Sequence, residues 1–202
     1  MSKTVGRRLY SIKESYVITY LAFRSMPKLL YVKKHNLLSQ QFIERIMLSV
    51  TEVNGCDICS YVHTKIALEA GMTNEEIQKM LGGIIDDVPL KEVHGIMYGQ
   101  HYANARGNPG TDTWNQLNSV YNKDTALGIL AATRVIMFGN AYGIPWSSFS
   151  KRIKGKADQR ISLGYELSIL LGSFIMIPIG GLHALFVGLM GIPYINFTDK
   201  TD

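Results

Sequence analysis

An all-α fold is what this sequence predicts, and three observations carry the prediction. Apolar residues recur at helical spacing along most of the chain, as at Ile43, Ile46, Met47 and Val50. Helix start and stop signals punctuate that pattern at regular intervals. No stretch alternates apolar and polar residues between hairpin turns, so no sheet is expected. A length of 202 residues, 47% hydrophobic and 18% charged, fits one globular domain, or a domain with an appendage, able to bury a sizeable core.

The elements follow in order. Residues 12–35 read as an amphipathic helix that Pro27 kinks or ends, because its ring clashes with the preceding turn and it lacks an N–H. Residues 39–53 form the next helix, stopped by Asn54-Gly55. Cys56 opens a third, running to about Ala70 and closed by Gly71. Thr73 followed by Glu76 is a capping-box signal for a short helix to about Leu81. Pro89 suits the first turn of a helix through about Ala105, and Arg106 to Gly110 is a loop. Helices over 112–121, 124–141 and 145–154 follow, the last two parted by Gly143-Ile-Pro145. A faint echo of residues 45–63 in residues 134–151 is too weak to count as a repeat.

The C-terminal segment, 167–194, has no acidic residue, lysine or arginine, and its titratable groups are His183 and Tyr194. By length it would span a bilayer. Pro178, Gly180, Gly181 and His183 interrupt its centre, where a lipid-exposed break would leave backbone groups unsatisfied. Two shorter helices buried in a core or subunit interface are the favoured reading. The chain thus divides into a helical domain over 1–157 and an apolar helical extension over 158–202, packed on that domain or on a partner subunit.

The formal charge of +5 raises the question of nucleic acid. Basic residues gather at Lys3, Arg7 and Arg8, at Lys33 and Lys34, and at Lys151, Arg152, Lys154, Lys156 and Arg160. No aromatic residues are interleaved with the last group for stacking on bases, so a nucleic-acid role is not expected. The polar stretch Met1–Tyr10 has no apolar run behind it of signal-peptide type, which makes the cytoplasm the expected location.

The chemistry lies in the cysteines. Both occur in one four-residue stretch, Cys56-Asp-Ile-Cys59, with His63 one helical turn on. A disulfide closing so short a loop restrains the unfolded chain little, so the pair is catalytic or metal-binding before it is structural. Positions 56, 59 and 63 share one helix face. At a helix N-terminus the free N–H groups and positive dipole end stabilise a thiolate and lower the cysteine pKa from about 8.5. His63 takes the thiol proton or pairs with the thiolate. A second group would orient the imidazole, and the preceding helix offers Glu44 and Glu52 on roughly the same side. Zinc is a competing reading, but Cys56, Cys59 and His63 supply three of the four ligands it wants; His94 or His101 could add a fourth, yet no second Cys-x-x-Cys or His-x-x-x-His pair exists. Haem attachment needs histidine directly after the second cysteine, where Ser60 stands. His94, Tyr98 and His101 read as a packed or solvated helix face, Tyr16, Tyr20 and Phe23 as core positions, and His183 as a hydrogen-bonded buried or helix-end histidine.

The run from Glu44 to His63 closely resembles the alkylhydroperoxidase D/carboxymuconolactone decarboxylase family. It shares the glutamate twelve residues before the first cysteine, Asn54-Gly55, Cys-x-x-Cys, and histidine four residues after the second cysteine. Leu68 to Gly71 and Thr73 to Ile77 continue the likeness; the specific match covers 40–80, a looser one extends to about 143, and the last 60 residues lie outside the family's core motif. The resemblance implies an antioxidant-type helical bundle, usually oligomeric, with thiol peroxidase or disulfide-reductase activity. It implies Cys59 as peroxidatic nucleophile, Cys56 as resolving thiol, His63 as base and Glu44 completing the relay. No metal or organic cofactor is required, and the partners are a hydroperoxide and an external dithiol of thioredoxin or lipoyl type. The chain departs from certain peroxidase members in carrying Ile58 where they have a second histidine. A non-peroxidatic redox sensor would use the same dithiol, whereas the decarboxylase or lactone chemistry of other members has no evident need of Cys-x-x-Cys.

Overall fold

A computed structural model of the chain describes residues 7–193 and 195–198, among which there are eight α-helices and no strands. Lys3 and Tyr194, both singled out from the sequence, lie outside the described residues. Helix α1 (Ile12–Lys34) starts from a full capping box, in which the Ser11 hydroxyl accepts from Glu14 N–H and the Glu14 carboxylate accepts from Ser11 N–H. Helix α2 (Gln40–Asn54) is capped by Ser39 and stopped by Gly55, whose φ of 70° is left-handed and suited to glycine. Helix α3 (Asp57–Glu69) follows at once, and α4 (Asn74–Leu81) begins at the Thr73 cap expected from the sequence. Then come α5 (Leu90–Asn104), α6 (Thr111–Val120), α7 (Lys123–Ile153) and α8 (Leu163–Leu189).

Two proline readings are corrected and the reading of Pro27 is narrowed. Pro27, Pro145 and Pro178 all lie inside continuous helices, so α1 does not end at Pro27, the two helices expected around Gly143-Ile-Pro145 are one, and the apolar C-terminal segment is one helix rather than two. An interior proline costs a helix about 3 kcal/mol locally. Burial outweighs that in α7, where more than half the residues are buried and the helix packs against α1, α2, α3, α5 and α8.

Helices α2 and α7 form the centre. On α2, Ile43, Ile46, Leu48 and Val50 are fully buried, and on α7 Ile129, Leu130, Met137 and Ile144 meet them in one core cluster. Arg45 is buried as well, its guanidinium held by Glu76 at 2.6 Å and Glu92 at 2.8 Å, which ties α2 to α4 and α5. Burial works against the Arg45 charge, but the two carboxylates outweigh it and raise its pKa.

Helix α8 packs one side on α1 and α7 and leaves the other exposed, with Phe174 79% and Leu189 80% accessible. The expected burial of this segment is therefore met on one face alone. Sequence hydropathy counts residues and says nothing of what covers them. Both α7 and α8 are long and apolar enough to cross a membrane, but α7 is mostly buried as a core helix, whereas only 22% of the apolar window of α8 is buried.

The aromatic residues read as core prove to be the α1 face against α8. Tyr16 and Tyr20 are half-buried and Phe23 is exposed, while Ser15, Ile18, Thr19 and Ala22 point inward. His183 is exposed in mid-helix rather than buried or terminal; its Nδ1 lies 2.9 Å from the Tyr16 hydroxyl and its ring stacks on Tyr20. The basic cluster is largely paired: Arg152 with buried Glu166 at 2.6 Å, Lys151 with Asp57 at 2.5 Å, and Arg160 with Asp158 at 2.9 Å.

Candidate active site

The site is built at the turn between α2 and α3. Gly55 reverses the chain, and Asn54 just before it is anchored from two sides: its Oδ1 accepts from the Tyr10 hydroxyl at 2.6 Å, and its Nδ2 lies 3.2 Å from Met137 Sδ. Its backbone carbonyl accepts from Arg8 N–H. A turn fixed in this way sets the angle at which α3 leaves α2.

Cys56 is the N-cap of α3 in extended conformation, and its Sγ accepts from the Cys59 backbone N–H at 3.4 Å. Cys56 and Cys59, with Cα atoms 5.3 Å apart, are joined in a disulfide. Cys56 is 1% exposed and Cys59 7%, so the second sulfur-bearing residue is the more accessible. Because α3 begins immediately after Cys56, its unpaired N–H groups and positive dipole end lie at the sulfur pair, and a negative charge that develops on sulfur meets them.

His63 lies one turn beyond Cys59 on the same helix. Its Nδ1 donates to Glu44 Oε2 at 2.7 Å, and the other oxygen of Glu44 accepts from Gln40 Nε2 at 2.6 Å. Glu44 is 2% exposed. With Nδ1 held by the carboxylate, Nε2 is the ring nitrogen able to exchange a proton. Glu52, the other glutamate considered, sits beside Gly83, not beside His63, and burial raises its carboxyl pKa. The structure thus pairs Glu44 with His63 and joins Cys56 to Cys59, with His63 four residues beyond Cys59 on α3.

Asp57, between the cysteines, is held by Arg7 and Lys151. Burial pushes its carboxyl up, but the Lys151 hydrogen bond and the nearby Arg7 charge outweigh this and hold it below the usual range. Its negative charge is neutralised next to the sulfurs.

Two contributors escaped the sequence reading. Gln40 is one turn before Glu44, and that spacing was a signal for it. Gly143 of α7, read as part of a helix break, packs directly on the disulfide: a Cβ there would stand 2.8 Å from both sulfurs and 3.1 Å from Ile58 Cγ2. A glycine inside a long helix costs about 1 kcal/mol against alanine, and here close approach accounts for it. His94 and His101 lie exposed on α5, the latter with Nε2 3.1 Å from the Pro109 carbonyl.

Residues 22–87, which contain all four candidate residues, match the Carboxymuconolactone decarboxylase family. No curated protein and no solved structure gave a match.

Proposed function

We propose that this chain, whose residues 22–87 match the Carboxymuconolactone decarboxylase family, is a thiol-dependent hydroperoxidase whose redox centre is the Cys56–Cys59 pair. The observation that supports it most directly is the pairing of half-buried His63 with buried Glu44, four residues beyond Cys59, beside a dithiol placed at a helix N-terminus. An inert pair of cysteines has no use for an imidazole oriented by a buried carboxylate.

In the reduced protein His63 accepts the Cys59 thiol proton, directly or through a water, and Glu44 stabilises the imidazolium. The Cys59 thiolate attacks the terminal oxygen of the hydroperoxide. The S–O bond forms, the O–O bond breaks, and the departing alkoxide takes a proton to leave as alcohol. Cys59 is now a sulfenic acid. Cys56 attacks its sulfur, the S–S bond forms, and hydroxide leaves as water with the remaining proton. An external dithiol of thioredoxin or lipoyl type reduces the disulfide by exchange and leaves as its own disulfide. Cys59 is assigned as nucleophile because it is the more exposed cysteine and stands on His63's face of the helix.

The test is stopped-flow mixing of the reduced protein with cumene hydroperoxide, followed by a thiol count. Oxidation of two thiols per peroxide is expected. Cys59→Ser abolishes the reaction, while Cys56→Ser still consumes one peroxide and stops at the sulfenic acid. No oxidation by the peroxide, with the disulfide still cycling in dithiothreitol, refutes the peroxidase reading; a reactive Cys59→Ser with an inert Cys56→Ser reverses the roles.

A further inference from the structure

Helix α8 exposes more large apolar residues than any other element among the described residues. Leu171, Phe174, Leu182, Leu185, Phe186 and Leu189 are each at least 62% accessible. With their exposed apolar neighbours they present on the order of 1,000 Å², against roughly 300–600 Å² for the largest patch on a typical monomer. Free cations flank this face at both ends. Lys154 and Lys156 lie in the turn that leads into α8. Helix α1 runs parallel to α8, since Tyr10 meets Tyr165 at one end and Arg24 meets Ile192 at the other. From Arg24, α1 therefore continues about 15 Å past the end of α8, to Lys33 and Lys34. All four lysines are exposed, and none has an ion-pair partner among the described residues. The exposed acids that are equally unpaired, Glu69, Asp86 and Asp112, lie on α3, before α5 and on α6, whereas α8 packs on α1 and α7.

We propose that α8 seats the protein on an anionic phospholipid surface, lying in the plane of the bilayer with Lys33, Lys34, Lys154 and Lys156 on the headgroups. A helix placed in this way buries its apolar side about 5–10 Å into the boundary between headgroups and acyl chains. Each lysine near such a surface adds roughly fivefold to binding. The helix lies flat and does not cross. Its inner side is packed on α1, and crossing would carry Lys13, Glu14, Arg24 and Lys28 of α1 into hydrocarbon with it. Charge also disfavours a second copy as the cover. Two α8 helices paired antiparallel would set Lys33 and Lys34 of one against Lys154 and Lys156 of the other, and paired parallel would set each group against its own kind. Lipid phosphate meets both ends with the opposite sign. The seating does not depend on the dithiol chemistry, so the two readings stand or fall separately.

The test is cosedimentation of the full-length protein with sucrose-loaded vesicles, made of phosphatidylcholine alone or of equimolar phosphatidylcholine and phosphatidylglycerol. Binding is expected to be at least tenfold tighter on the mixed vesicles and to weaken in high salt. Lys154→Glu with Lys156→Glu is expected to weaken it at least tenfold, and so is Leu182→Asp, at a residue 67% accessible and therefore tolerant of change. Lys65→Glu with Lys91→Glu alters net charge equally, but on α3 and α5, and should have a much smaller effect. The chain has two tryptophans, so the depth of α8 is read in a background of Trp114→Phe with Trp146→Phe. There Phe174→Trp and Phe186→Trp should each be quenched by lipids brominated on the acyl chains. Quenching at one position alone overturns the flat seating. No binding to either vesicle, equal binding to both, or equal losses from the two lysine pairs overturns the proposal. So does a stable dimer that Leu182→Asp makes monomeric, because a second copy then covers the face.

Discussion

Replacing Gly143 by alanine is expected to make the dithiol easier to reduce. The added Cβ would lie 2.8 Å from each sulfur and 3.1 Å from Ile58 Cγ2, where carbon contacts are comfortable at about 3.5–4.0 Å. In the disulfide the two sulfurs are tied to each other and cannot swing aside, so α7 or α3 has to shift. Overpacking of this kind costs about 1–3 kcal/mol. In the dithiol each Cys side chain rotates independently and relieves most of the clash. The helix-propensity gain of alanine over glycine, about 1 kcal/mol, is present in both states and cancels from the redox difference. A differential cost near 1.4 kcal/mol corresponds to about 30 mV for a two-electron couple. The reduction potential of the variant, from thiol counts across a series of glutathione buffers, should therefore be less negative by about that amount. Gly139, one turn earlier, is the control: a Cβ there meets only Ile136 Cδ1, at an ordinary 3.7 Å. Gly139→Ala should leave the potential where it is. A Gly143→Ala potential equal to the wild type, or more negative, refutes the idea that α7 bears on the disulfide through this residue.

Removing the carboxylate behind His63 with Glu44→Gln should slow oxidation of the dithiol about tenfold or more at neutral pH, since the oriented imidazolium loses its counter-charge; Glu52→Gln, beside Gly83, should not, and stopped-flow rates distinguish them. Arg45→Met leaves Glu92 and Glu76 facing one another without their cation, so urea denaturation should show a loss of about 3–5 kcal/mol. The Arg106 hydrogen bond holds the Glu14 carboxyl at about 2, below its ordinary 4.5. A carboxyl depressed on folding contributes stability above its unfolded pKa, and that contribution falls away as pH drops from about 4.5 towards 2. Glu14 and Arg106 are both more than a third exposed, so solvent screening reduces the effect to about 1 kcal/mol. The gap in stability between wild type and Glu14→Gln should therefore be present at pH 6 and small at pH 2.5; a gap constant across that range would show that the ion pair is not its source.

Local signals proved sufficient where the deciding partners are close in sequence. Thr73 and Gly55 each mark a helix end, because a cap or a left-handed glycine acts on backbone groups within a few residues. Pro145 and Pro178 misled for the converse reason. Their local cost of about 3 kcal/mol is real, but it is set against packing partners that no nearby residue reveals. Pro145 is buried in α7 among neighbours from distant helices, and its reading as a break was a reading of one local contribution to a sum. The exposed side of α8 is illegible in the same way. A run of leucine, isoleucine and phenylalanine looks alike whether its own chain covers it or not.

The candidate site divides along the same line. In an antiparallel hairpin that turns at Gly55, Glu44 lies eleven residues before the turn and His63 eight after it. At 1.5 Å per residue these are heights of about 16 and 12 Å, close enough for two side chains to meet. Glu52, only three residues before the turn, is level with the cysteines instead, and is rotated from Glu44 by about 80° around α2 at 100° per residue. That rotation turns it towards Gly83. The sequence offered both glutamates, and it was the resemblance that singled out Glu44; the closed hairpin supplies the physical reason for that choice. Gly143 had no such route to recognition. Its significance depends on which part of α7 crosses α3, and that is decided by the packing of α1, α2 and α8 around α7. One side of the sulfurs, with the Glu44–His63 pair, is written into a stretch of twenty residues; the other, where α7 meets them, exists only once the whole bundle has closed.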